Sequence, residues 1–268
     1  MPKEKTPLRI GTVKFLNAKP LDYGFLHKEK WQNVSFLPLY DYQIIEDIPS
    51  TLVNMLLEKK IDIGLISSVE VLRNQDLLDY YPHLGVCAHK RVASILFLKQ
   101  EFFFDRPVKR IYLDISSRSS VALLKVLYYK TFQELPEFIY EHPDRIIKQI
   151  QNSPDTAGLI IGDPAIQVFL NSYGFFVKDL AEWWYEFTQL PFVFALWSFS
   201  KELIFQKEIF QESYELGRQS LEQIIKQSPF PKEFSFEYLT KILHYQITKK
   251  EWESLQLFSK YLMELGLM

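Results

Sequence analysis

From residue 9 to residue 199 the chain alternates short, densely apolar runs with longer stretches in which apolar positions recur every three or four residues. Dense runs of about 4 to 8 residues suit buried strands, whereas the longer recurrence is that of a helix with one buried face. "RIGTVKF" (9–15), "IDIGLI" (61–66), "SILFLK" (94–99), "RIYLDI" (110–115), "EFIYEH" (137–142), "AGLIIG" (157–162) and "FVFALWSF" (192–199) are predicted strands. "PSTLVNMLLEKK" (49–60) is a predicted helix that stacks Leu52 on Leu56 and Val53 on Leu57. In "SSVEVLRN" (67–74), Ser67 and Glu70 have the spacing of a capping box, and Pro164 in "DPAIQVFL" suits a first helical turn. From 201 onward the pattern is helical only.

Such alternation predicts an α/β fold with mixed, mostly parallel sheets, flanking helices and closing C-terminal helices. The 268 residues allow one large domain or two of ordinary size. No low-complexity tract or fixed-period repeat interrupts them, so a domain boundary must be a short crossover.

Composition narrows the function. Apolar residues at 47% and charged residues at 24% support a real core, and 16% aromatics predict that Phe and Tyr fill much of it. A net charge of −2 argues against a nucleic-acid partner, which would demand neutralised phosphates. No run approaches the roughly 18 apolar residues of a spanning helix, and no apolar segment follows "MPKEKTPLRIG". A cytoplasmic protein with no membrane partner is expected. The single cysteine, Cys87, excludes an internal disulfide and a Cys-rich zinc site. His27, His83, His89, His142 and His244 lack ligand spacing, and neither a Gly-rich phosphate loop nor a G-x-S-x-G elbow occurs. The expectation is no metal and no cofactor.

Candidate chemistry lies at the strand ends. "FLNAKP", "LISSVE", "DISSRSS" and "IIGDPA" each place polar residues just after an apolar strand and near a helix start. In open α/β sheets ligands bind outside the carboxyl ends of the strands, and helix N-termini favour carboxylate or phosphate. N-capping alone is the alternative at each position, for Asp163 through the helix at Pro164. A cap needs one side-chain oxygen, but 116–120 supplies four hydroxyls and a guanidinium fork suited to a carboxylate. Ser116, Ser117, Arg118, Ser119, Ser120, Ser67, Ser68 and Asp163 are therefore candidate ligand-binding residues, and Asn17 is a further candidate.

"GTVKFLNAKPLDYGF" (11–25), "DIGLISSVEVLRN" (62–74), "ISSRSSVALLKVL" (115–127), "LIIGDPAI" (159–166) and "DLAEWWYEFTQLPFVFALW" (179–197) together resemble the chorismate dehydratases of the futalosine route to menaquinone. The segments keep the family's order and cover about residues 9–200. This chain departs from the family in having Gln189 where a glycine usually precedes "LPFVFA". It also has "HKRVAS" (89–94) where an Asp-Gly-Pro-Val-like turn often stands.

The resemblance implies the two-lobed fold of type II periplasmic binding proteins. Residues 1–97 and 192–268 would form lobe I and 98–191 lobe II, with the ligand cleft between them. It implies a small-molecule substrate, chorismate, and elimination of water to give 3-[(1-carboxyvinyl)oxy]benzoate. It also matches Ser94 to the family's serine before the hinge strand, making Asn17 and Ser94 the catalytic candidates. A non-catalytic small-anion binding protein of the same fold, or the related enzyme that makes 1,4-dihydroxy-6-naphthoate, are the alternatives. Oligomeric state is not legible.

Overall fold

The computed structural model describes residues 7–100, 106–115, 117–171 and 174–268. The chain divides into one unit of residues 1–87 and 193–248 and another of 88–192 and 249–268. Elements are numbered along the chain.

The first unit carries a six-stranded sheet in the order β11-β4-β10-β3-β1-β2. Its strands are β1 (Leu8–Thr12), β2 (Tyr42–Glu46), β3 (Ile63–Ser67), β4 (Leu78–Ala88), β10 (Phe192–Ser200) and β11 (Leu243–Gln246). β1 runs parallel to β2 and β3, and β10 joins β3 antiparallel, with Ala195 opposite Ser67. All five residues of β3 are buried, which is why its sequence reads as a continuous apolar run rather than an alternating one. The helices are α1 (Lys19–Leu26), α2 (Pro49–Leu57), α3 (Ser68–Arg73), α8 (Ile209–Gln219), α9 (Leu221–Gln227) and α10 (Lys232–Glu237). In α2, Pro49 opens the first turn and Leu52, Val53 and Leu56 are buried.

Helices α1 and α8 approach backbone to backbone. A Cβ at Gly217 would meet the Pro20 carbonyl, and one at Gly24 would lie 2.5 Å from Ser213 Cα. Ser213 Oγ seals the seam, donating to Leu21 O at 2.8 Å and accepting from Gly24 N at 3.0 Å. A larger residue at Gly217 would push α1, and the turn before it, off this seat.

The second unit has a five-stranded sheet in the order β7-β6-β8-β5-β9. Its strands are β5 (Ile95–Lys99), β6 (Arg110–Asp114), β7 (Glu137–Glu141), β8 (Thr156–Ile161) and β9 (Phe176–Asp179). β7, β6 and β8 are parallel, while β5 pairs antiparallel with both β8 and β9. Its helices are α4 (Ser119–Phe132), α5 (Pro143–Gln151), α6 (Gly162–Asn171), α7 (Leu180–Thr188) and α11 (Lys249–Glu264). Gly158 lets α5 close on β8, because a Cβ there would collide with Ile146 and lie 2.8 Å from Ile150 Cδ1.

Three expectations are corrected. The C-terminal segment is not purely helical, since β11 pairs into the first sheet. That segment also does not stay in one unit. α11 belongs to the second, where Phe258 meets Trp184 edge-on at 6.0 Å between ring centroids and Ser254 Oγ accepts from Trp184 Nε1 at 3.0 Å. Finally, β5 lies with the second unit rather than the first, because both its partners, β8 and β9, are there.

Gln189 ends α7 with φ 58°, and its N–H donates to Tyr185 O. This left-handed position is one that glycine takes without a Cβ penalty. Gln189→Gly is therefore expected to stabilise the fold by about 1 kcal/mol, read as a higher denaturation midpoint with an unchanged m-value.

Among the described residues, no helix is long and apolar enough to cross a membrane.

Candidate functional site

In the first unit, parallel pairing of β1 with β3 puts their carboxyl ends on one edge, and the antiparallel β10 begins there. Beyond β1, a single 3-10 turn at Leu16–Ala18 carries Asn17, which is half-buried. The residues at the cap positions are Phe15 for this turn and Ala18 for α1, with no side-chain cap bond at either. Asn17 therefore caps neither element.

The loop holding Asn17 is bracketed by a buried carboxyl. Thr12 Oγ1, at the end of β1, donates to Asp22 Oδ2 of α1 at 2.7 Å, and Lys19 Nζ lies 3.7 Å from the same oxygen. Lys19 also pairs with Glu46 at 2.9 Å. Asp22 Oδ1 is buried with no hydrogen-bond partner among the described residues. Burial outweighs Lys19 and Thr12 and pushes this carboxyl up to about 7. A carboxyl raised on folding binds its proton more tightly in the folded state. Its stabilisation is complete below the ordinary value of 3.8 and is lost as pH rises through about 7. Relative to Asp22→Asn, the wild-type protein is expected to lose on the order of 4 kcal/mol across that window, measured by urea unfolding at a series of pH values.

Ser67 closes β3, and Ser68 opens α3. The expected capping box does not form, because Ser67, at the cap position, makes no side-chain cap bond. Glu70 instead accepts from Arg73 Nη1 at 2.9 Å. Ser68 Oγ donates to Val193 O at 2.7 Å, so its hydroxyl holds the first residues of β10 against α3.

The second unit assembles a comparable edge. β6 and β8 run parallel, so Ser117–Ser120 after β6 and Asp163 after β8 sit at the same end of the sheet. Ser116 lies outside the described residues. Ser117 N donates to Asp114 O at 3.2 Å, and Arg118, half-buried, takes the cap position of α4 without a side-chain cap bond. Ser119 and Ser120 are the first helical residues and are buried. Aligned peptide dipoles give the start of this 14-residue helix about half a positive charge.

Asp163 is half-buried in the first turn of α6. The helix opens at Gly162, two residues before Pro164, which places Asp163 inside its first turn. Gly162 has φ 67°, and its N–H donates to Ser94 O at 2.7 Å. Ser94, only 1% exposed, thereby adjoins Gly162–Asp163 where β5 begins beside the end of β8.

One functional-looking residue escaped the sequence reading. Asp179, which ends β9 and caps α7, accepts from Ala181 N at 2.9 Å, Glu182 N at 3.3 Å, Val92 N at 2.9 Å and Ala93 N at 2.7 Å. Burial pushes its carboxyl up to about 6, against the pull of those N–H groups. An Asp three residues before Glu182, at the head of an apolar run, was the available signal.

Among the described residues, no group of three or more His, Cys, Asp or Glu side chains is placed to hold a metal.

The family described as menaquinone biosynthesis matches residues 8–264. A chorismate dehydratase of Thermus thermophilus is 29% identical over 231 residues, covering 80% of this chain and 78% of that protein. A chorismate dehydratase of Campylobacter jejuni is 28% identical over 256 residues, covering 94% and 96%. Among solved structures, an Archaeoglobus fulgidus protein superposes with a TM-score of 0.75 at 17% identity over 98% of both chains. The periplasmic aliphatic sulphonate binding protein of Escherichia coli does so with a TM-score of 0.63 at 17% identity, covering 98% of this chain and 88% of that one. The fold is thus that of the periplasmic binding proteins, with two mixed α/β sheets and flanking helices.

Proposed function

Since the chain belongs to the menaquinone biosynthesis family, we propose that it is a cytoplasmic chorismate dehydratase, a hydro-lyase of the futalosine route. It removes water from chorismate to give 3-[(1-carboxyvinyl)oxy]benzoate. The observation that carries this reading is the second unit's carboxyl edge, where Arg118, Ser117, Ser119 and Ser120 surround the start of α4 and Ser94 adjoins Gly162–Asp163.

Chorismate is a dianion with a ring carboxylate, an enolpyruvyl carboxylate and a C4 hydroxyl. The C3–H bond breaks, and its electron pair moves toward the ring carboxylate through C1=C2. That pair then completes the aromatic ring as the C4–O bond breaks, and the hydroxide leaves as water. The site must hold two carboxylates and stabilise charge that grows on one of them.

Arg118, Ser116, Ser117, Ser119, Ser120 and the start of α4 bind a carboxylate. Donors aimed at developing charge are worth about 3 to 4 kcal/mol each. Asn17 orients the C4 hydroxyl or the enolpyruvyl group, and Ser94 is the second catalytic candidate. The substrate's own enolpyruvyl carboxylate takes the C3 proton, and the protein works by positioning. Asp163 is the second candidate for that proton.

Incubation with chorismate in the presence of EDTA tests the reading. Mass spectrometry is expected to find a product lighter by one water. Chorismate left unchanged both in EDTA and with added zinc or magnesium contradicts the activity, and turnover that needs the added metal contradicts cofactor independence.

A further inference from the structure

We propose that Asp179 is the positioning residue for Ser94, acting through the turn at Val92 and Ala93 that its carboxylate clamps. The inference deepens the proposed function and rests on it, since Ser94 matters to catalysis only if chorismate is the substrate.

Capping α7 requires only the N–H groups of Ala181 and Glu182, which lean on Oδ1 at 2.9 and 3.3 Å. The same carboxylate reaches back to a distant segment, taking Ala93 N on Oδ2 at 2.7 Å and Val92 N on both oxygens at 2.9 and 3.1 Å. Ala93 is fully buried with φ 58°, a conformation that a residue with a Cβ adopts only when its surroundings impose it. The next residue is Ser94, whose carbonyl accepts from Gly162 N at 2.7 Å, immediately before Asp163. A relaxed Ala93 would therefore displace Ser94 and the Gly162–Asp163 junction together.

Asparagine dissects the two roles. Asn caps a helix as well as Asp does, so its oxygen can serve α7. Its amide nitrogen would then replace Oδ2 and face the N–H groups of Val92 and Ala93, donor against donor. Asp179→Ser likewise offers α7 a cap oxygen but is too short to reach the turn.

In the full chain, Asp179→Asn is expected to lower kcat for chorismate by about 10-fold to 100-fold with KM changed by less than about threefold. Amide hydrogen exchange at Ala93 and Gly162 should accelerate in parallel. Adding Ala93→Gly should restore part of the lost kcat, because glycine adopts positive φ without help. A residue that only caps α7 predicts no such restoration. Where Asp179→Asn does not fold, Asp179→Ser carries the same test. Wild-type kcat in the variant, or a loss that Ala93→Gly does not relieve, overturns the proposal. If the wild-type protein leaves chorismate untouched, the functional reading falls by itself. Exchange at Gly162 then decides the clamp, and an unchanged rate in the variant overturns it.

Discussion

Asn17→Ala is expected to lower kcat for chorismate by about 100-fold to 1000-fold, the loss seen when one donor to a developing charge is removed. Its place favours chemistry over architecture. The residue is half-buried beyond the carboxyl end of β1, and it caps neither its own turn nor α1. A capping Asn would cost about 1 kcal/mol of stability when truncated. Here the melting midpoint should hold while kcat and kcat/KM fall together, the pattern of an interaction made mainly in the transition state. Asn17→Asp keeps the shape but sets a negative charge beside a dianion, so binding should suffer as well. Steady-state kinetics with a melting curve decide it: normal turnover with lost stability would refute the catalytic role.

Arg118→Ala is expected to weaken chorismate binding by roughly 1.5–3 kcal/mol, the range for hydrogen bonds to charged groups. Arg118 takes the cap position of α4 without a side-chain cap bond, next in the chain to Ser117, Ser119 and Ser120. Its planar fork suits a carboxylate in a way that the hydroxyls do not. Arg118→Lys should recover only part of the loss, because a point charge replaces a bidentate donor. Titration calorimetry with the product or an unreactive analogue reads the effect directly. An unchanged Kd would make Arg118 a surface charge.

The strands that carry these residues were legible because buried parallel strands write themselves as dense apolar runs, as in β3 and β8. The polar ends stood out for the same reason, since hydroxyls and a guanidinium interrupt the apolar text abruptly. β4 was not legible, because "LDYYPHLGVCA" contains Pro82 and changes from half-exposed to buried midway. β11 is only four residues long and exists by pairing with β4, a long-range partner that local pattern does not reveal. Where α11 packs depends on the Trp184–Phe258 contact across the chain. Asp179 was hidden for a similar reason: its local sequence announces a helix cap, and its second duty lies with residues 92 and 93. Gln189 reads as an ordinary polar residue, and only its φ of 58° shows why the family's glycine suits that position.

The central claim is that this chain dehydrates chorismate with its enolpyruvyl ether intact. A proton NMR time course of chorismate with the purified protein tests it most directly. The account predicts that cyclohexadiene signals give way to those of a meta-substituted benzoate while the vinyl protons of the enolpyruvyl group persist. Release of pyruvate, or a spectrum that does not change, would contradict it.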